Sequence, residues 1–244
     1  FAFVQRLIRA RSEREPAVLL VDDLHWIDPG SDAFLARIVE AVSGTRTLLL
    51  VNFRPEYEAD WTRKSHYQQL PLLPLGPEGI EELLRHLLGE DPSVTELLEP
   101  IRERTRGNPF FIEEVVQSLA ESGSLEGTRG AYRRVTPVAE VVVPTSVHTV
   151  LSARIDRLSE REKQLLQKAA VIGKEFSQPI LEEVAELPSV ELAGALAALS
   201  AAELIREEAL YPVAEYAFKH PLTQEVALGS QLRERRRRTH AAVA

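Results

Sequence analysis

The chain has 244 residues, of which 44% are hydrophobic and 27% charged, and its formal net charge is -8. The acidic balance argues against a protein whose whole surface binds nucleic acid, and the lack of cysteine excludes disulfides and zinc–thiolate sites. Six histidines lie scattered without HExxH-type spacing, and the apolar runs fall short of the ~20 residues that a membrane helix needs. We therefore expect a cytoplasmic protein with no membrane partner.

A short apolar run near the N-terminus ends in two aspartates. Residues 1 to about 13 predict an amphipathic helix, and the strand Ala17–Asp22 follows, buried on both faces as in a parallel sheet. Ligands of such sheets bind at the carboxyl ends of the strands. Adjacent carboxylates, Asp22 and Asp23, are costly there unless a cation or a hydrogen-bonding ligand meets them, and the natural cation is Mg²⁺. The stretch indicates a Walker B strand, in which Asp22 holds Mg²⁺ and Asp23 orients or activates the attacking water. Turn formation or helix capping by the aspartates is the structural alternative.

A second apolar run completes a βαβ unit. Ser31 is expected to cap a helix from Asp32 to about Val42, and Thr47–Asn52 predicts the next buried strand. A helix between two strands predicts parallel pairing with a right-handed crossover. A response-regulator receiver domain also begins with paired acidic residues. It needs a phosphoacceptor aspartate after its next core strand, where this chain has Asn52-Phe53-Arg54-Pro55, so that interpretation is excluded.

The pattern then becomes helical. A polar loop with several aromatic residues, 53–67, leads to a third strand at Gln69–Leu73, confined by Pro71 to a sheet edge or end. Pro74-Leu75-Gly76-Pro77 indicates a domain boundary. Of three helices that follow, the second covers about Ser93–Thr105. The third begins at Gly107-Asn108-Pro109, with Asn108 as N-cap and Pro109 at the first helical position.

The remaining segments predict a loop and then a winged helix. Ser122–Gly130 is rich in Gly and Ser and predicts an exposed loop. Leu204–Glu208 and Glu215–Lys219 flank a turn at Tyr211-Pro212 and predict a β-hairpin, and helices followed by a hairpin is the winged-helix order. Pro221 begins another helix. The helices before the hairpin are expected at Thr145–Leu158, Glu160–Val171, Ser177–Ala185 and Ser189–Ala201.

Together and in this order, these motifs resemble the STAND class of AAA-like ATPases. The similarity is greatest to the ATPase regions of multidomain proteins that also carry class III adenylate/guanylate cyclase domains or TPR-type repeats. It rests on VLLVDDLHWIDPGSDAFL, LLLVNFRPEY, RTRGNPFFIEEVVQSL, VHTVLSARIDRLSEREKQLLQKAAVIGKEF and YAFKHPLTQEVAL, which span nearly the whole chain.

The resemblance implies a fold and its domains. The fold would be an α/β P-loop NTPase core with a partial parallel sheet, followed by an all-α lid and a winged-helix domain, mostly helical overall. The implied limits are residues 1–75 for the C-terminal part of the core, 76–125 for the lid, 126–144 for a linker, 145–230 for the winged helix and 231–244 for the start of a further helical region.

The resemblance also implies roles within the core. Asp22 matches the metal-binding carboxylate of the Walker B pair, and Asp23 matches the catalytic one. Arg54 matches the sensor residue at the end of the next strand, from which a guanidinium could reach the γ-phosphate. The structural alternative for Arg54 is an ordinary loop arginine. Three further residues match the family's HWID extension, which would brace the site: His25, Trp26 and Asp28.

Downstream, Asn108 and Pro109 match the GxP turn of the helical lid, where proline offers an apolar face to adenine. The same residues would also satisfy a plain helix cap. His220 matches a winged-helix histidine near the ADP β-phosphate in related switch ATPases, although a lone histidine is often only a packed or surface residue.

One motif of the family is missing from the sequence. GxxxxGK[ST], the P-loop, occurs nowhere in the chain. In the family it follows a strand upstream of Phe1, at the centre of the sheet. Because the chain also has no methionine, we treat it as an internal piece of a larger protein. We expect the chain alone to bind ATP weakly or not at all and to be inactive. Its partial sheet should leave unpaired edges and exposed apolar surface.

These inferences predict a signalling switch that uses Mg²⁺ and ATP or ADP and hydrolyses slowly. Nucleotide exchange would move the winged helix and pass a signal to a covalently attached effector, such as a cyclase, or to TPR-like repeats. A homo-oligomer is compatible with this function.

Two alternatives stay open from the sequence. A DNA-binding regulator could use the winged helix and the five arginines within Arg233–Arg238. Against it, the preceding segment is acidic and would repel DNA. A catalytically inert scaffold is the second alternative, against which Asp22, Asp23 and Arg54 count.

Overall fold

The computed structural model describes residues 2–210 and 213–243, which divide into two compact units, Phe1–Leu72 and Leu73–Ala244. The chain is mostly helical with small sheets. The helices are α1 (Ala2–Arg14), α2 (Pro29–Val42), α3 (Pro77–Leu88), α4 (Leu98–Thr105), α5 (Pro109–Glu121), α6 (Val147–Arg157), α7 (Glu160–Ile172), α8 (Gln178–Ala185), α9 (Ser189–Ala201), α10 (Pro221–Gly229) and α11 (Arg233–Val243). The strands are β1 (Ala17–Val21), β2 (Thr47–Val51), β3 (Leu125–Thr128), β4 (Ala131–Arg134), β5 (Glu175–Ser177), β6 (Ile205–Ala209) and β7 (Glu215–Phe218).

The first unit is built on the predicted βαβ arrangement. β1 and β2 pair in parallel and in register, from Ala17 opposite Thr47 to Val21 opposite Val51. The predicted helix between them starts earlier than expected. Asp28, and not Ser31, is the N-cap of α2, because its side chain accepts from Gly30 N at 2.9 Å and from Ser31 N at 3.1 Å. The hydrogen bond from the Ser31 side chain, followed by those from the backbone N–H groups of Ser31 and Gly30, lowers the pKa of Asp28 below its ordinary value.

Only one face of the β1–β2 sheet is covered within this unit. Leu49 and Val51 pack against Leu35 and Val39 of α2 in a small core that also includes Trp61. On the opposite face, four apolar side chains are at least half exposed: Val18, Leu20, Leu48 and Leu50. The prediction of strands buried on both faces is therefore wrong, because only one layer packs on two strands. The exposed face agrees with the apolar surface expected of a partial sheet.

No third strand forms at Gln69–Leu73. This segment is irregular, and Leu70, Leu72 and Leu73 are between 77% and 95% exposed. Pro71 lacks the N–H that a central strand needs, and neither β1 nor β2 pairs with the segment. The prediction of an edge strand at this segment is therefore wrong.

The second unit begins with three helices around an apolar core. Asn108 caps α5 as predicted, accepting from Phe111 N at 3.0 Å with Pro109 at the first position. Gly107 has φ +79°, and a Cβ there would lie 2.3 Å from Leu75 O, so this turn requires glycine. The single helix predicted at about Ser93–Thr105 is instead a 3-10 turn, Pro92–Leu97, followed by α4.

A hairpin occupies part of the segment that predicted a loop. β3 pairs antiparallel with β4 around the turn Arg129-Gly130. Leu125 and Tyr132 are buried and join the core of α3, α4 and α5. The Gly and Ser content of Ser122–Gly130 predicts an exposed loop. The sequence gives no sign of the hairpin, because its two buried apolar residues, Leu125 and Tyr132, lie one on each strand and form no periodic pattern.

The rest of the second unit packs helices against a three-stranded sheet. β7 pairs antiparallel with β6, which confirms the predicted hairpin, and also with β5. The predicted turn residues Tyr211 and Pro212 lie outside the described residues. β5 was missed because three residues carry too little pattern to be recognised. The core comes mainly from helices α6 to α10, with Leu151, Leu166, Leu196 and Phe218 among its members.

A buried ionic cluster joins α5 to α6. Arg154 is only 2% exposed and Glu114 only 1%. The Arg154 guanidinium donates to Glu114, to the backbone oxygen of Ala202 and to Glu121, in the last case at 2.6 to 3.0 Å. Burial raises the pKa of Glu114, and the positive charge of Arg154 opposes that effect.

Within the described ranges, no single helix has the length and apolar character to cross a membrane. One bent pair, α8 with α9, passes the same test of length and composition only together, and the two helices meet at 116°.

Candidate functional site

The carboxyl ends of β1 and β2 meet at one edge of the first unit. Because the strands are parallel and in register, the residues that follow them are neighbours in space. Asp22 and Asp23 follow β1, and Asn52 follows β2. This is the edge of a parallel sheet at which ligands bind. The structure thus places the two predicted Walker B aspartates beside an asparagine that the sequence analysis did not select.

Asn52 contacts four consecutive residues at the end of β1. Its backbone N donates to Val21 O at 3.3 Å, and its backbone O accepts from Leu24 N at 3.0 Å. Its side-chain Oδ1 accepts from Asp23 N at 2.8 Å. Its side-chain Nδ2 donates to Asp22 Oδ1. The only sequence signal for this residue was a polar side chain at the end of the strand next to the aspartates.

Asp23 adopts a left-handed backbone conformation, with φ 56° and ψ 44°. This region is sparsely populated by residues other than glycine, although aspartate and asparagine tolerate it best. Such conformations persist where the surroundings hold them, and they concentrate at functional sites. The hydrogen bond from Asp23 N to Asn52 Oδ1 is part of what holds this one.

The donor set at this edge fits Mg²⁺ that arrives with a nucleotide. Magnesium in such sites is held by one or two carboxylates, with water and phosphate oxygens in the other positions. Asp22 and Asp23 provide carboxylates of this kind. In the part of the chain that the structure describes, no group of three or more His, Cys, Asp or Glu residues could form an all-protein metal cage. Asp22 and Asp23 could therefore hold Mg²⁺ that is bound together with a nucleotide.

Arg54 lies two residues beyond Asn52, and its side chain is exposed. Its backbone oxygen accepts from Tyr57 N at 3.0 Å, which turns the chain after β2. Tyr57 Oη donates to Asp32 Oδ1 at 2.5 Å. Burial, followed by this contact with Asp32, raises the pKa of Tyr57 to about 12. The loop that begins at Arg54 is thereby attached to α2.

The aromatic residues of the same loop pack on one another. Phe53, Tyr57, Trp61 and Tyr67 form a chain of ring contacts with centroids 5.1 to 6.4 Å apart. Trp61 is 6% exposed. The segment 53–67 therefore packs its aromatic side chains on the small core that contains Leu35 and Val39 of α2.

The HWID residues differ from one another in their surroundings. Asp28 is the cap of α2, as described above. Trp26 is 76% exposed. Both ring nitrogens of His25 are buried without a hydrogen bond to any described residue. Bracing of the site by the His25 and Trp26 side chains therefore stays a prediction.

A second group of predicted residues lies in the second unit. His220 is the N-cap of α10, and its Nδ1 accepts from Leu222 N at 3.1 Å. The ring of Phe110 stacks on the His220 ring with centroids 3.8 Å apart and an angle of 12°. Because Phe110 follows Pro109, this stack brings His220 close to the start of α5, where Asn108 is the cap. The structure thus gathers Asn108, Pro109 and His220 at two neighbouring helix N-termini.

A cluster of charged side chains includes Lys219, the residue before His220 in the chain. Lys219 bonds Glu203 and lies 3.6 Å from Glu113, and Arg129 lies 3.6 Å from Glu113 and 3.7 Å from Glu203. Partial burial acts to raise the pKa of Glu203, but the hydrogen bond and charge of Lys219, with Arg129, bring it below its ordinary value. The cluster links α5, the turn before β4, the end of α9 and β7.

A family model matches a short part of the chain, and longer similarities to known proteins cover nearly all of it. Residues 77–125 match the model of a domain of unknown function, DUF8739. The chain is 26% identical over 244 residues to an uncharacterized protein of Rhizobium meliloti (strain 1021), covering 96% of this chain and 22% of the relative.

Among solved structures, the fold is similar to that of a Signal Transduction ATPase with Numerous Domains (STAND) protein with a tetratricopeptide repeat sensor from Pyrococcus horikoshii. The TM-score is 0.62 at 14% identity, and the match covers 98% of this chain and 32% of that one. The chain thus has a STAND-like fold, and it spans about a fifth to a third of the length of these two proteins.

Proposed function

We propose that this chain is the Mg²⁺-coordinating and switching part of a STAND-type ATPase. The observation that carries the proposal is the arrangement of Asp22, Asp23 and Asn52 at the carboxyl edge of the parallel β1–β2 pair. The STAND-like fold supports it. A STAND-type ATPase also needs a phosphate-binding loop, and the GxxxxGK[ST] motif does not occur in these 244 residues.

In this proposal each residue of the first unit has one task. Asp22 holds the cation, directly or through water, and Asp23 orients the water that attacks the γ-phosphate. The exposed guanidinium of Arg54, on the same edge, contacts the γ-phosphate and registers its loss. When bound, Mg²⁺ neutralises charge on the phosphate oxygens.

The second unit would sense the nucleotide. Pro109 offers an apolar face to the base, and His220 contacts the phosphates from a winged-helix domain. The Phe110–His220 stack supports this assignment, because one aromatic contact ties the start of α5 to the start of α10. A displacement of Phe110 or of His220 would therefore alter the position of the other ring. We propose that this coupling conveys the nucleotide state to an attached effector, such as a nucleotide cyclase or a TPR-like sensor.

The test measures Mg-ATP binding by calorimetry and ATP turnover, using the full-length protein that carries this chain. Asp22→Asn should weaken Mg-ATP binding at least tenfold, because it removes a carboxylate that Mg²⁺ needs. Asp23→Asn should retain binding and lower turnover by a hundredfold or more. Asp60→Asn is the matched control, because the Asp60 side chain is fully exposed in the same unit.

Two results would refute the proposal. The first is a wild-type protein that binds no Mg-ATP. The second is equal binding and turnover in the wild type and in the Asp22→Asn and Asp23→Asn variants. The second result would favour a scaffold that uses the fold without its chemistry.

A further inference from the structure

We infer that Asn52 is the positioning residue of the acidic pair. This inference rests on the proposed function and deepens it, by assigning the residue that sets the geometry of Asp22 and Asp23. Four hydrogen bonds carry it, one to each residue from Val21 to Leu24.

The two backbone bonds of Asn52 extend the β1–β2 ladder by one residue. The Asn52 N–H meets Val21 O, and the Leu24 N–H meets Asn52 O. Any residue at this position could make these bonds. They place the side chain of residue 52 beside Asp22 and Asp23, and the chemistry of that side chain then decides what it does there.

The two side-chain bonds need an amide. Asparagine presents a donor and an acceptor on one planar group. The donor Nδ2 meets a carboxylate oxygen of Asp22, and the acceptor Oδ1 meets the N–H of Asp23. Leucine has the same shape and can make neither bond. Serine carries its donor and its acceptor on one oxygen of a shorter side chain, which cannot occupy both positions that the two amide atoms take. Aspartate would set a third carboxylate against Asp22.

The two bonds have separate consequences. The bond to Asp22 fixes the rotation of its carboxylate and occupies Oδ1 on the protein side, which orients the group for a cation. The bond from Asp23 N stabilises the left-handed conformation at Asp23, which sets the direction in which the following 3-10 turn, Leu24–Trp26, leaves the strand. Asn52 therefore acts through both aspartates and is not itself a catalytic residue.

The experiment has one measurement on the wild type and one on variants. In the wild-type full-length protein, hydrogen exchange should show the Asp23 amide to be protected at least tenfold relative to an unstructured peptide, because it bonds Asn52 Oδ1. Exchange at the unprotected rate would overturn the inference whatever the variants do.

The variants are Asn52→Leu, Asn52→Ser and, as control, Glu56→Gln, at an exposed residue of the same loop. ATP affinity is measured with excess Mg²⁺ and with chelator. Asn52→Leu should lose at least tenfold of the Mg²⁺-dependent gain in ATP affinity and of kcat. Its affinity for metal-free ATP should stay within twofold, which a general loss of structure would not allow. Asn52→Ser should fall between Asn52→Leu and the wild type, and it replaces Asn52→Leu if that variant does not fold.

The outcomes separate the inference from the proposed function. A wild type without Mg²⁺-dependent ATP binding overturns both. A wild type that binds Mg-ATP through Asp22, together with Asn52 variants that bind and turn over like the control, overturns the role of Asn52 alone. A selective loss in Asn52→Leu, with partial loss in Asn52→Ser, supports it.

Discussion

Replacing Arg154 by methionine should be among the most destabilising single changes in the second unit. The change removes the cation but leaves Glu114 buried at 1% exposure. It also removes the hydrogen bonds to Glu121 and to Ala202 O. Breaking a buried ion pair from one side costs about 3–5 kcal/mol, because the remaining charge is desolvated and unpaired. This is a large share of the roughly 5–15 kcal/mol that holds a typical domain folded.

The assay is urea unfolding of the whole chain, followed by two probes. Both tryptophans, Trp26 and Trp61, lie in the first unit, so their fluorescence reports that unit. Far-UV circular dichroism reports mainly the second unit, which contains most of the helices. Arg154→Met should lower the free energy of unfolding obtained from circular dichroism by about 3–5 kcal/mol.

Two further variants isolate the ion pair. Arg157→Met is the matched control, because the Arg157 side chain is 40% exposed and lies 3.8 Å from Glu121, and it should cost about 1 kcal/mol or less. The double variant Glu114→Leu/Arg154→Met should recover most of the loss, because no buried charge remains.

The pH dependence of Arg154→Met has a definite sign. Burial raises the pKa of Glu114, and replacing Arg154 removes the main charge that opposes this effect. A carboxyl whose folded pKa is raised contributes stability below its unfolded pKa and loses it as the pH rises. The variant should therefore be less impaired at pH 5 than at pH 8. A cost below about 1 kcal/mol at pH 8, or one equal to that of Arg157→Met, would refute the reasoning.

Three other predictions follow from single positions. Gly107→Ala should lower the free energy of unfolding by about 2 kcal/mol or more in the same assay, because the added Cβ would lie against Leu75 O. Gly123→Ala, at a similar positive φ but with no atom near the added Cβ, should lower it by about 1 kcal/mol. Equal losses would contradict the close approach at Gly107. Because the folded pKa of Tyr57 is raised to about 12, the stability advantage of the wild type over Tyr57→Phe should be present below the unfolded pKa of about 10 and shrink as the pH rises from 10 to 12. Spectrophotometric titration should show a tyrosine that ionises near pH 12 in the wild type and not in Tyr57→Phe. Identical titration curves for the two proteins would contradict this. The exposed apolar face of the β1–β2 sheet should make the isolated chain self-associate as its concentration rises. Light scattering should show less association for Leu20→Lys than for the wild type. A wild-type chain that stays monomeric at all concentrations would contradict this prediction.

Much of the local structure was predictable from the sequence. The cap Asn108 and the helix start at Pro109 agree with the structure, and α9 has the predicted limits, Ser189–Ala201. Each of these features depends on residues within one helical turn of each other, so a short stretch of sequence is enough to predict it. The pairing of β1 with β2 was also predictable, because a helix between two apolar runs leaves little choice of topology.

Errors arose where distant residues decide the outcome. Gln69–Leu73 has strand-like composition, but a strand needs a neighbour to pair with, and none is present for it among the described residues. The strand β5 exists only because β7 pairs with it, and the hairpin β3–β4 only because Leu125 and Tyr132 are buried by α3, α4 and α5. Such partners lie far away in the chain, where no periodicity reports them.

The candidate site divides in the same way. The sequence alone determined that two aspartates end an apolar strand and that a polar segment ends the next, because strand identity and chain order are local properties. Only the tertiary structure decided that Asn52 bonds both aspartates and that Phe110 stacks on His220. Those contacts join residues that are 29 to 110 positions apart, and they exist because strand register and helix packing bring the residues within hydrogen-bonding or van der Waals distance.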